Sequence, residues 1–497
     1  MYASNVALYS LMPFLSLVQS VAADTCSQVN ALNTVELKRQ QSIEYFQEQQ
    51  NYWSTGCGAL KPSCILYPKS TSEMASIVEI LNENNETFAV KSGGHNPNEG
   101  FASISKGPLI STKELNEVTF HPESMTVTVG PGNDWQDVHK ALEGTNVTVV
   151  GGRIGEVGVG GYVLGGGLSF LSTQYGWAAN NIVSFEVVLA NATVVTASNS
   201  SHTELYRALK GGGNNYGIIT SYEMVAHPMG EIWGGNLVFT ADKTDQLLSA
   251  VRNFTDDYPD EKAAIIMTAE LTALGAVDIW VMFLFYDGPK PPAGVFDIFT
   301  DIKPLTNDCK TRSYYDLLTH NNFGVIKGSI YTITTETMPV PSVENGAEVM
   351  GAIHTNWKKT TRDILGVAGI IGSIAYQPIP KILARKAREM GGDLLDLDDD
   401  VNRIIMEFNL SYWFDIDDHT VDEATGQLHW GSRNLITDFQ KSGKLPDAYL
   451  PLFMNDAYFR QDYFARLRGS SLSLARSARD LYDPEGFFRT HTKGWRM

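Results

Sequence analysis

His95 stands in Lys91-Ser92-Gly93-Gly94-His95-Asn96-Pro97, where two glycines shape an exposed loop and bring an imidazole to its end. A neutral imidazole nitrogen held this way is a competent nucleophile. Two glycine clusters accompany it. Residues 151–167 read Gly-Gly-Arg-Ile-Gly-Glu-Val-Gly-Val-Gly-Gly-Tyr-Val-Leu-Gly-Gly-Gly, nine glycines in seventeen residues. Neither helix nor strand propensity explains that density. Lys210-Gly-Gly-Gly-Asn-Asn-Tyr-Gly217 is the second cluster. Backbone without Cβ atoms lets amide N–H groups close around a phosphate while adding little positive charge. The three stretches together point to a pyrophosphate-bearing cofactor. The ordinary dinucleotide fingerprint fits poorly, because Gly158-Val-Gly160-Gly161-Tyr-Val163 has valine where the third glycine belongs.

The elements that must position these residues follow from local pattern. Ile77, Val78 and Leu81 share one face of a helix predicted over residues 71–81, with Ser70 or Thr71 as its cap. A strand is predicted over 88–90, running directly into the His95 loop. Another covers 125–129 and is stopped by Gly130-Pro-Gly132. Residues 135–142 and 204–209 read as short helices, and 184–196 as two strands turning near Ala190-Asn191. Beyond about residue 230 the glycine clusters cease, and longer amphipathic helices separate strands such as 276–285. This texture predicts an α+β protein of two domains.

The chain has 497 residues, 43% hydrophobic and 19% charged, enough apolar content for a sizeable core. Lys+Arg 38 against Asp+Glu 56 leaves −18, which disfavours nucleic acid and anionic membranes as partners. No CxxC pair or Cys/His cluster suggests a metal site. Residues 6–18 form a short interrupted apolar stretch, followed by Val21-Ala-Ala23, the layout of a secretory leader ending at residue 23 despite its missing basic start. No later run is long enough to span a bilayer. Six N-glycosylation acceptors fit a secreted or luminal protein: Asn85, Asn146, Asn191, Asn199, Asn253 and Asn409. So does one disulfide, from Cys26 to Cys64 or Cys57.

The ordered motifs resemble the berberine-bridge-enzyme-like flavoproteins of the vanillyl-alcohol-oxidase, or PCMH-type, FAD-binding group, in its secreted fungal branch. The resemblance is carried by Lys91-Ser-Gly-Gly-His95-Asn96, the Gly158 to Gly167 run, Tyr175-Gly-Trp177, Gly211-Gly-Gly-Asn-Asn-Tyr-Gly217 and Tyr482-Asp-Pro-Glu-Gly-Phe487. It implies FAD joined covalently to His95. It also implies cofactor contacts from Ser92, Gly93, Gly94, Asn96, Gly158, Gly160, Gly161, Gly165, Gly166, Gly167, Tyr175, Gly217 and Ile218. A second, thioether link in many relatives uses a cysteine at the position of Ile154, so a single link is expected here. Val157 matches the position that gates oxygen.

The resemblance places FAD in residues 24–230, with 450–497 returning to them, and gives 231–449 to an antiparallel-sheet substrate domain. Hydride removal from a substrate carbon needs a base for the accompanying proton. The family's Tyr-x-Asn-Tyr motif reads Phe453-Met-Asn455-Asp456 here, which makes Asp456 the candidate base with Asn455 beside it. Tyr376, Gln377 and the alternating 407–412 segment are further pocket candidates. A glycan on Asn409 and a pocket role for it exclude each other. The expected activity is FAD-dependent oxidation of a small molecule, in a monomer, with molecular oxygen reduced to hydrogen peroxide and a biosynthetic intermediate as substrate. Oligosaccharide oxidation, a redox-neutral cyclase and a ligand-binding protein with an inactive flavin site are the alternatives.

Overall fold

Ser70 caps a helix over Thr71–Asn84, its side chain accepting from the Glu73 amide, and Met74, Ile77, Val78 and Leu81 are buried along one face. The computed structural model describes residues 24–497, so the expected leader at residues 1–23 lies outside the described residues. The helix covers a four-stranded sheet ordered Glu36–Lys38, Cys64–Tyr67, Pro108–Ser111, Ala89–Lys91, with its last two pairings parallel. Ala89–Lys91 delivers the His95 loop from the sheet edge. Lys91 itself is buried, its Nζ donating to Glu48 Oε1 at 2.6 Å and lying 4.4 Å from the Tyr52 ring centroid. The start of the loop is thereby pinned.

Of the two pairings open to Cys26, the structure forms Cys26–Cys64 and leaves Cys57 free and buried. The bridge ties the helix Thr25–Leu32 to the strand Cys64–Tyr67 across 38 residues. Replacing both bridged cysteines by serine is expected to lower unfolding stability by about 3–4 kcal/mol, from loop-closure entropy. Equilibrium urea unfolding checks this; an unchanged midpoint would contradict it.

A five-stranded antiparallel sheet follows, ordered Val118–His121, Thr126–Val129, Ile218–Val225, Ile182–Val188, Val194–Ser198. Helices Trp135–Leu142 and Thr203–Leu209 match the sequence expectation and pack on it through Trp135, Val138, Leu205 and Leu209. The glycine run contains a short helix, Val159–Leu164, that its composition does not announce. Val159 and Val163 bury against Val127, Phe185 and Tyr222 of this sheet, and tertiary packing outweighs the poor propensity of Gly160 and Gly161.

Residues 232–412 build a third, eight-stranded sheet. Its main order is Thr306–Asn307, Ile232–Thr240, Val277–Tyr286, Ala263–Thr272, Ile371–Ile379, Arg403–Tyr412, Ile330–Pro339, all antiparallel, with Lys310–Arg312 also pairing to Ile232–Thr240. Helices Thr244–Asp257, Val343–Asp363 and Asp418–Lys441 cover one face, where Met267, Trp280, Met282, Ile374, Tyr376, Met406 and Phe408 form the largest apolar cluster with Phe254, Trp357 and Leu428. Alternation sends the intervening residues to the opposite face, toward the glycine-rich half. Among the described residues no helix is long and apolar enough to cross a membrane, and no group of His, Cys, Asp or Glu could hold a metal ion.

Candidate active site

Between the glycine-rich half and the bare face of the large sheet lies a cavity of about 400 Å³. All three glycine stretches of the sequence reach it. Gly93, Gly94, His95, Gly158, Gly160, Gly161, Gly165, Gly213 and Gly217 line it, with Ser92, Asn96, Val157 and Ile218. From the large sheet come Ile266, Thr268 and Glu270, then Phe283, Ile333, Ser373, Ala375, Glu407 and Asn409. Asn455 and Asp456 close one side, and Phe488, Thr492 and Trp495 of the C-terminal segment another.

The glycines are there because two backbones touch. A Cβ on Gly158 would fall 2.4 Å from the Gly93 amide nitrogen, and one on Gly93 would fall 2.6 Å from Gly158 Cα. Ser92 staples the same junction, its hydroxyl donating to the Pro131 carbonyl at 2.6 Å and accepting from the Gly160 amide at 3.1 Å. Gly161 is exposed in the midst of the fold, with no atom within 4 Å of where its Cβ would stand. A bare-backbone wall facing open space has the shape a flat ring system with a diphosphate tail requires, and the residues present fit FAD. Gly158→Ala is expected to wedge the His95 loop away from this wall. The expected cost is about 1–3 kcal/mol of stability, with bound flavin falling to about a tenth of wild type. Absorbance of the purified protein reads the flavin content; full occupancy would contradict the close-contact account.

His95 is stacked on Trp53 at 4.5 Å with the rings 4° apart, and Trp53 stacks in turn on Tyr331 of the large sheet at 4.2 Å. Burial, with Lys327 nearby, pushes the His95 pKa down to about 4, so the ring stays neutral with a free lone pair at physiological pH. No side-chain hydrogen bond engages its nitrogens among the described residues. Orientation rests on the stack alone.

Asp456 lines the same cavity. Its Oδ2 accepts from Gln377 Nε2 at 2.8 Å, and Gln377 Oε1 accepts in turn from Arg153. Burial first, then repulsion from Glu407, push the Asp456 carboxyl well above the usual carboxylate range, against the opposing pull of Gln377 and Arg153. Burial likewise raises Glu407 and Glu270. Glu407 Oε1 accepts from Asn409 Nδ2 at 2.5 Å.

The structure brings most of the anticipated residues together and removes some. Gln377 belongs to the site as the residue behind Asp456. Tyr376 does not: its strand neighbours Ala375 and Gln377 face the glycine-rich half, so Tyr376 points into the helix-covered core, its hydroxyl 3.4 Å from His354 Nδ1. Asn455 spends its amide on scaffolding. Its Oδ1 accepts from the Gly167 amide at 3.1 Å and its Nδ2 donates to the Tyr162 carbonyl at 3.0 Å, bracing the end of the glycine helix. Gly166 and Gly167, both at positive φ, form that turn beside the cavity rather than its lining. Tyr175 stacks on His227 at 3.7 Å, away from the cavity. Asn409 lies inside, so the glycan reading of that acceptor is corrected. Sequence reasoning missed Arg153, Glu270 and Trp53. Each is an ordinary residue locally, and only Arg153 carried a visible signal, as the one basic side chain within the glycine run.

The FAD binding domain family matches residues 62–198. An uncharacterised FAD-linked oxidoreductase of Arthroderma benhamiae is 40% identical over 462 residues, covering 93% of this chain and 92% of its own. The FAD-dependent monooxygenase drtC of Aspergillus calidoustus is 30% identical, over 91% of this chain and 86% of its own. Among solved structures, 6-hydroxy-D-nicotine oxidase of Arthrobacter nicotinovorans superposes with a TM-score of 0.75 at 19% identity, over 93% and 97% of the two chains. Berberine bridge enzyme of Eschscholzia californica does so at 0.73 and 16%, over 95% and 99%. The cradle of bare backbone, the domain match and the near full-length relatives agree, and the chain belongs to the FAD-linked oxidoreductases, on the berberine-bridge-enzyme-like, PCMH-type fold.

Proposed function

We propose that the protein is an oxidase of a small organic molecule, with FAD held through a single bond to His95 and oxygen as the final acceptor. The observation that carries this reading is that one cavity is lined by a neutral His95, the glycine wall and the carboxyl of Asp456. When bound, FAD supplies a two-electron acceptor that oxygen can restore, with hydrogen peroxide as product. The substrate carbon gives up a hydride, and the proton on its hydroxyl or amine passes to Asp456, leaving a carbonyl or imine. Gln377 fixes Oδ2 of that carboxylate, which leaves Oδ1 for the substrate. A raised pKa makes Asp456 a stronger base once ionised. Val157 lines the cavity, where a small side chain leaves room for oxygen. Ile154 stands where a second, thioether link would need cysteine, and supports a single tether.

The same reading places the protein in the secretory pathway, as a monomer. The leader expected at residues 1–23, the Cys26–Cys64 bridge and the exposed acceptors Asn85, Asn146, Asn191 and Asn199 support export with N-linked glycans.

Substrate turnover under air, with peroxide and flavin absorbance followed together, tests the activity. One peroxide per product, with flavin bleaching when oxygen is withheld, supports the oxidase. Oxygen appearing in the product without peroxide would favour a monooxygenase, the activity named for the Aspergillus relative. Unchanged flavin with an isomeric product would favour a cyclase.

A further inference from the structure

Among the described residues, Arg153 is the only arginine or lysine lining the cavity, and three acids line it too, Glu270 and Glu407 from the large sheet and Asp456 from the turn Met454–Asp456. Its guanidinium makes a single side-chain hydrogen bond, to Gln377 Oε1, and its backbone carbonyl accepts from Asn321 Nδ2 at 3.1 Å. No carboxylate stands within 4 Å of it among the described residues, although Glu407 and Asp456 both feel its charge. A guanidinium has five N–H donors and stays charged at any physiological pH. Most of those donors have no protein partner. The three acids are driven toward their neutral forms by burial, a route not open to a guanidinium. The one charge the cavity carries whatever the state of its acids is therefore positive, inside a protein of net charge −18.

We infer that Arg153 anchors the substrate, and that the substrate carries a carboxylate or an equally planar acidic oxygen pair which docks on its unpartnered N–H donors. This rests on the reading of the cavity as a substrate site, and narrows it to organic anions. A planar fork meeting a planar anion makes two parallel charge-assisted bonds, which fix orientation as well as position. Gln377 bonds both Arg153 and Asp456, so the anchored group and the proton acceptor are held by one amide. The oxidised carbon then belongs near the anionic group, within the same small molecule. Ile266, Phe283 and Ile333 offer the rest of that molecule an apolar wall. An ammonium substrate is disfavoured, because it would meet the guanidinium.

The test uses the intact flavoprotein and three ring-matched probes, benzoate, benzamide and benzylamine, with binding read from the flavin absorbance. Benzoate is expected to bind about tenfold more tightly than benzamide. The preference should disappear in Arg153→Gln and return in part in Arg153→Lys, which restores charge but not the fork. Equal affinity for the two, tighter benzylamine, no benzoate binding at all, or a preference surviving in Arg153→Gln overturns the inference. Flavin content of each variant confirms that the fold is retained. Dead-end binding does not require turnover. A benzoate preference without peroxide formation by any substrate keeps the anchor and removes the oxidase reading, whereas peroxide formation without the preference does the reverse.

Discussion

Replacing His95 by alanine is expected to yield protein whose acid-precipitated pellet is colourless, while wild-type pellet stays yellow. The mass of the denatured variant should equal the polypeptide with any glycans, and wild type should be heavier by one FAD. The expectation follows from the position of the imidazole. It lies flat against Trp53, is pushed down to a pKa of about 4, and lines the cavity with the glycine wall, with no competing side-chain hydrogen bond among the described residues. Flavin can remain bound without the link, because Gly158, Gly160, Gly161 and Ser92 still form the cradle. Substrate-driven reduction should nevertheless slow by about tenfold, equivalent to about 1.4 kcal/mol of barrier, since attachment at the ring makes the flavin a better electron acceptor. A yellow pellet from His95→Ala would move the link to another residue. A colourless wild-type pellet would remove it altogether.

The second large effect is expected at Asp456. Asp456→Asn preserves shape and leaves the Gln377 hydrogen bond an oxygen to meet, but removes the proton acceptor. The rate of anaerobic flavin reduction should fall by about 10²–10⁴, with flavin content unchanged. The pH dependence has a definite sign. Burial and Glu407 raise the Asp456 pKa, and a base acts in its ionised form. Reduction in wild type should therefore climb with pH through an apparent value well above an ordinary carboxylate, and that climb should be lost in the variant. Glu407→Gln removes the like-charge repulsion and should shift the climb to lower pH. The two carboxyls titrate as a pair, so the shift reads their coupling. An Asp456→Asn enzyme with wild-type rate would assign proton removal elsewhere, Glu407 being the neighbouring carboxyl in the same cavity.

Much of the cofactor half was legible in the chain itself. Residues 71–81 announced a helix through a cap and apolar spacing, 135–142 also read as a short helix, and both helices are present. The three glycine stretches announced a backbone-lined ligand site, and they line one cavity. These signals are local, because turns, caps and close backbone approach each demand particular residue types at particular positions. The helix at Val159–Leu164 went unread for the same reason: propensity is local, and the packing of Val159 and Val163 that overrides it is not.

The amino-acid order alone thus determined that a bare-backbone cradle and a reactive imidazole belong to one site, and limited the Cys26 bridge to two partners. Tertiary structure decided which residues meet there. Arg153 and Gln377 are 224 positions apart and Gln377 and Asp456 are 79 apart, and no pattern within either segment encodes the encounter. It also decided the parity of the strand Ile371–Ile379, which turns Gln377 toward Arg153 and Asp456 and Tyr376 to the core. A strand buried on both faces lacks the polar and apolar alternation that would reveal its orientation, so only the layers packed against it settle which side chains do chemistry.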